Sequence, residues 1–181
     1  MKKTKHKSAA RPKRQMSVKR KAPAKPVLLA TPIGPHATPY LVIKDAARAV
    51  DFYKKAFGAT EVVRLEGADG RIAHCEIKIG DASILLADEW EGVGATSPFS
   101  LGGCPVIIHL EVDDIDAIAQ RAIDAGAKVI FPIQDQFYGE RAGRLQDPFG
   151  HMWLLSMKIE ALSDQEMRKR EQDYFKQRSD K

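Results

Sequence analysis

YLVIKDAARAVDFYKKAFGATEVVRL (Tyr40–Leu65) and HLEVDDIDAIAQRAIDAGAKVIFPI (His109–Ile133) share one pattern. Each runs through an apolar strand, an aspartate, a helical stretch, Gly-Ala and a second β-rich run. Asp45 matches Asp114, and Gly58-Ala59 matches Gly126-Ala127 with one residue deleted. The likeness continues downstream, where GRIAHCEIKIGDASILL (Gly70–Leu86) parallels GRLQDPFGHMWLL (Gly143–Leu155). A repeat this long is a duplicated supersecondary unit rather than a solenoid period. Each copy reads as β-α-β-β-β.

The local chemistry supports that reading. Val50, Tyr53 and Phe57 fall on one helical stripe, which predicts a helix over about 46–57. Asp45 is its N-cap and Gly58 its left-handed stop. Ile115, Ile118, Ala122 and Ala125 repeat the stripe over 115–125, with Asp114 as cap and Gly126 as stop. "IGD" at Ile79 and "FGH" at Phe149 read as tight hairpin turns. Ser163 and Glu166 in "SDQE" have capping-box spacing and open a C-terminal helix within residues 159–181. Its few large apolar groups, Met167, Tyr174 and Phe175, predict weak docking, or docking on a partner subunit.

The 181 residues suit one domain with tails, and 44% apolar with 29% charged residues is ordinary for a soluble protein. No apolar run is long enough to span a bilayer. Cys75 and Cys104 form neither a disulfide framework nor a CxxC zinc site, so a reducing, cytoplasmic setting is expected. The net charge of +5 hides an asymmetry. Residues 1–26 hold eleven Lys and Arg and no acid, leaving 18 basic against 24 acidic residues in 27–181. Residues 1–30 therefore read as a basic disordered tail on an acidic body, suited to nonspecific polyanion or nucleic acid contact through 1–26. A functionless extension and a targeting peptide are the other readings. The stretch "VLLA" at Val27 is too short for a secretory apolar segment.

The tandem modules, with "KDAARAVDFYKKAFGA" in one and "DDIDAIAQRAIDAGA" in the other, resemble the vicinal oxygen chelate superfamily of glyoxalases, bleomycin-resistance proteins and extradiol dioxygenases. "TPYLVI", "HCEIKIGDASILLADE", "FYGERAGRLQDPFGHMW" and "LSDQEM" are similar to its PhnB-like branch. The resemblance implies an α+β domain over 36–158 (modules about 38–88 and 106–158), whose two βαβββ units form a curled sheet around a cavity. It implies a homodimer. In the enzymes of that superfamily a divalent metal in the cavity acts as a Lewis acid on a chelating substrate. The usual metal-ligand positions fall on Thr38, near Ile84, and on Ile107 and Leu154. Three are aliphatic and one is a weak neutral donor, so no metal is expected there.

Strand alternation then nominates other groups. His74 and Glu76 oppose apolar Cys75 and Ile77. His109 and Glu111 alternate with Ile108, Leu110 and Val112 and share a face with Ile107, while Tyr40 takes the equivalent face of the first strand. These residues form a solvated rim, a polar metal-free cavity, or a displaced metal site using His74, His109 and a glutamate. "FYGER" at Phe137 reads as a loop over the cavity mouth, with Tyr138 able to stack on a ligand and Arg141 able to fork onto a carboxylate or phosphate. Its alternative is a surface ion pair between Arg141 and Glu140. The linker from Glu89 is a candidate lid. Trp153 is expected to pack under a helix, and His151 to end the turn with its ring on the backbone. The expected function is small-molecule binding. The alternatives are a metal-dependent lyase, isomerase or dioxygenase of glyoxalase type, and a polyanion-binding protein.

Overall fold

The computed structural model describes residues 37–179; the basic segment 1–26 and the expected tail to residue 30 lie outside them. The order is β1 (Tyr40–Ile43), α1 (Ala46–Phe57), β2 (Thr60–Glu66), β3 (Ile72–Ile79), β4 (Ala82–Asp88), α2 (Pro98–Leu101), β5 (Ile107–Glu111), α3 (Ile115–Asp124), β6 (Lys128–Asp135), β7 (Glu140–Gln146), β8 (Met152–Lys158) and α4 (Asp164–Ser179). The fold is α+β: two βαβββ modules, each forming an open four-stranded sheet, ordered β1-β4-β3-β2 and β5-β8-β7-β6. The first strand of each module runs parallel to its last, and the remaining pairs are antiparallel.

The helices begin where their caps place them. Asp45 accepts from Arg48 N and Asp114 accepts from Ala117 N. Asp45 sits at φ 72°, a left-handed conformation that aspartate tolerates better than most residues. The buried Asp88 carboxylate holds it there, accepting from the amides of Asp45 and Ala46 at 3.1 and 2.9 Å and from Ile72 N at 2.7 Å. Gly58 and Gly126 follow the helices at φ 68° and 109°. Two local expectations are corrected. Residues 147–151 form a longer loop instead of a tight turn at "FGH", closed by Asp147 N to His151 O and Gly150 N to Asp147 O. Ser163 caps α4 through Glu166 N, but the Glu166 carboxylate turns to Arg170 at 3.0 Å instead of back to Ser163. α4 buries none of its residues, and Tyr174 stacks on Phe137 with ring centroids 4.6 Å apart.

One core unites the modules. α1 packs on its own sheet and against α3, and its Tyr53 and Phe57 rings reach Trp153 of β8 at 5.4 and 4.6 Å. α1 therefore touches both sheets as well as α3. The DPFG loop is the joint. Asp147 is buried and accepts from Phe149 N and His151 N at 2.9 Å, from Tyr53 Oη at 2.8 Å and from Trp153 Nε1 at 3.0 Å. Burial first, then the Asp147 carboxylate, pushes the Tyr53 phenol well above its ordinary range, so it stays a donor. His151 is buried, and its Nε2 lies 3.2 Å from Val42 O of β1, a second tie between modules.

Asp147→Ala is expected to lower unfolding free energy by at least about 3 kcal/mol, because it strands buried donors that lose a charged acceptor; Tyr53→Phe removes one bond and should cost about 1–2 kcal/mol. Urea unfolding measures both. Burial also holds the His151 imidazole below its ordinary 6.5, against the opposing pull of Asp147 and the Val42 carbonyl. Below that pH the unfolded chain binds a proton that the folded one resists, so stability should fall as pH drops from about 7.5 to about 5.5. In His151→Gln that share of the fall should vanish from the urea midpoints.

Candidate functional site

Each sheet has one side on the helices and one side on solvent. On the first sheet the pairing aligns Tyr40, Leu85, Glu76 and Val63 across the outer side, and beside them Val42, Ala87, His74 and Leu65. On the second it aligns His109, Leu154, Arg144 and Phe131. Cys75, Ile77, Leu86, Leu145, Trp153 and Leu155 occupy the buried sides, and this fixes the outer register.

Polar contacts organise both outer faces. Tyr40 Oη and His74 Nδ1 share a hydrogen bond of 3.2 Å, and Ser83 Oγ donates to Glu76 Oε1 at 2.8 Å. His109 Nε2 and the buried Ser156 Oγ are 2.7 Å apart. Large apolar groups stand exposed around them: Tyr40 and Leu65 on the first face, Ile107 and Phe131 on the second. Tyr40, His74 and Glu76 therefore share one face, and His109 and Glu111 share the other. No hydrogen bond or ion pair among the described residues joins the two groups. Among the described residues, no three His, Cys, Asp or Glu side chains gather as a metal-holding group.

The metal implied by the resemblance finds no donor set. Ile107 and Leu154 lie on the second outer face, aligned with Met152 and His109, and neither aliphatic side chain can ligate. On β4 the expected position shifts by one residue. Ile84 is buried against the helices, and the outward neighbour is Leu85, equally inert.

The "FYGER" stretch differs most from expectation. It is not a loop throughout, because Glu140 already begins β7. Arg141 shares the helix-facing side with Gly143 and Leu145. Its guanidinium forks onto Asp116 at 3.0 and 2.9 Å and reaches Asp135 at 2.8 Å. These carboxylates, and not Glu140, neutralise it and hold its pKa above the usual arginine value. Tyr138 lies edge-on to Phe137, 5.2 Å between centroids, in the turn that carries α4. Gly143 is required where it stands: a Cβ there would meet Ile133 Cδ1 at 2.5 Å and its backbone at 2.9 Å.

The arginine on the outer face is Arg144, which the sequence reading passed over. Its signal was present. Leu145 and Trp153 both need the core, so the residue before Leu145 must point outward. The linker is tied down: Trp90 stacks on Arg71 at 3.7 Å, and Glu89 accepts from the Ser97 and Ser100 hydroxyls at 2.7 Å each. An open cleft of about 1090 Å³, lined by Lys44, Asp45, Arg71 and Trp90, lies beneath it, at the ends of β1 and β3.

Known proteins share this fold. The profile of the glyoxalase/bleomycin resistance protein/dioxygenase superfamily matches residues 34–155. An uncharacterized protein of Mycobacterium tuberculosis is 42% identical over 142 residues, 77% of this chain and 84% of that one. The crystal structure of TioX from Micromonospora sp. ML1 is similar with a TM-score of 0.54 at 26% identity, covering 71% of this chain and 100% of that one. A PhnB protein from Bacillus cereus shares the fold with a TM-score of 0.55 at 16% identity over 68% of this chain and 99% of that one.

His109→Ala is expected to lower the melting temperature by only a few degrees, since it exposes one buried hydroxyl and removes little packing. A ligand held on that face should bind more weakly. Calorimetry on the one variant reads both quantities.

Proposed function

Because this chain belongs to the glyoxalase/bleomycin resistance protein/dioxygenase superfamily, we propose that it is a small-molecule-binding protein of the PhnB-like branch that works as a homodimer and uses no metal at the usual positions. The observation that carries this reading is the pair of outer sheet faces. Each sets apolar groups beside polar ones, at matching positions: Tyr40, Leu85, Glu76 and Val63 against His109, Leu154, Arg144 and Phe131. Such patches on a folded protein are sites for a partner or a ligand. A second copy laid with its first sheet over the second sheet of this one would close a sheet-walled cavity and bring His74 and Glu76 opposite His109 and Glu111. The convergence is then supplied by two copies.

The rival reading, a metal-dependent enzyme of glyoxalase type, needs donors where this chain has Leu85, Ile107 and Leu154. The free thiols of Cys75 and Cys104 fit a reducing cytoplasm. Among the described residues no helix is long and apolar enough to cross a membrane.

Sedimentation equilibrium of the full chain should give a dimer, and ligands from a small-molecule screen should bind with affinities unchanged by EDTA. A monomer at micromolar concentration, or binding that EDTA abolishes and one divalent ion restores, would overturn the reading.

A further inference from the structure

We propose that the outer face of the second sheet is an oxyanion-receiving subsite centred on Arg144, so that the ligand is an anionic small molecule: a carboxylate or a phosphate ester on an apolar body. This rests on the reading that the outer faces bind the ligand.

Four arginines of the described residues are half-buried: Arg64, Arg141, Arg144 and Arg170. Three are neutralised inside the chain: Arg64 by Glu61, Arg141 by Asp116 and Asp135, and Arg170 by Glu160 and Glu166. Among the described residues, Arg144 alone of the four has no carboxylate within 4.0 Å and no hydrogen bond from any of its nitrogens. Its Nε is the one buried side-chain nitrogen or oxygen among the described residues without a partner. A guanidinium always carries its charge and has five donors to place, so half-burial without an acceptor is costly.

The surroundings are suited to an amphipathic anion. The Phe131 ring lies 5.0 Å from the guanidinium carbon, holding it by cation–π contact while leaving its donors unspent. Leu154 lies next to Arg144 across the β7–β8 pair, and His109, bonded to Ser156, lies beyond Leu154. Two strand spacings, roughly 10 Å, thus separate a cationic end from an imidazole across an apolar floor. Glu111 and Glu140 share this face at its far end, aligned with Ser156 and Lys158, and neither pairs with Arg144. An oxyanion satisfies the fork bidentately and neutralises its charge, which a neutral ligand does not do.

Isothermal titration of the full chain with octanoate, octyl phosphate and octanol tests this, with Arg144→Met and Arg144→Lys alongside. Methionine keeps the apolar stem over Phe131, and both variants retain the basic segment 1–26, so its nonspecific attraction for anions cancels. The anions should bind wild type at least about tenfold more tightly than octanol. Arg144→Met should lose about ten- to a hundredfold for the anions and nothing for octanol, with Arg144→Lys between. The tighter of the two anions identifies the head group. Equal binding of octanol and the anions, unchanged in Arg144→Met, would overturn the anionic ligand while leaving the binding face intact. Absence of binding by all three overturns both readings. Loss of the dimer in Arg144→Met and Glu76→Gln alike would assign Arg144 to an ion pair between copies and sink the proposal. If Arg144→Met does not fold, the wild-type comparison of anions with octanol and the lysine variant decide.

Discussion

A single carboxylate holds this fold together. Asp147 is a charge in the interior, a placement that is severely unfavourable unless every lone pair is used. Two of its donors are local, the amides of Phe149 and His151, and these shape the DPFG loop. Trp153 comes from the strand that follows, and Tyr53 from α1 of the other module. Because Tyr53 must reach this carboxylate, α1 lies against β8 as well as its own sheet. The aromatic rings of Phe57, Tyr53 and Trp153 then fill the space between the two sheets. The contact of α1 with both sheets follows.

What was legible in the sequence was what is local or repeated. Helices, their aspartate caps and the β-α-β-β-β succession come from short-range periodicity and from the duplication, and α1 occupies the residues the stripe of Val50, Tyr53 and Phe57 marks. The outward placement of His74, Glu76 and His109 follows from alternation, because turning their apolar neighbours to solvent would cost about 1.5–3 kcal/mol for each large residue. The packing of the two modules was not legible. It depends on a hydrogen bond between residues 94 apart, and nothing in either stretch alone announces it.

The exchange of Arg141 for Arg144 has a more local cause. Phe137 to Arg141 contains aromatics, a glycine and charges, the composition of a loop, and the strand's true start at Glu140 lies inside it. Once β7 is known to pair with β8, Leu145 opposite Trp153 settles which arginine faces where. Arg141 then belongs to the packing of α3 on the second sheet, and Arg144 to the open face.

The separation of the two sheet sides has a consequence for how this lineage can change. Residues on the helix-facing sides are constrained by the core, and most substitutions there would cost stability. Leu85, Ile107 and Leu154 stand on the other side, away from that core. A substitution at these positions leaves the packing of the helix-facing sides in place. If the outer faces bind the ligand as proposed, its preference can drift on this scaffold at little thermodynamic risk. On that reading, chemistry and stability are written on opposite surfaces of the same strands.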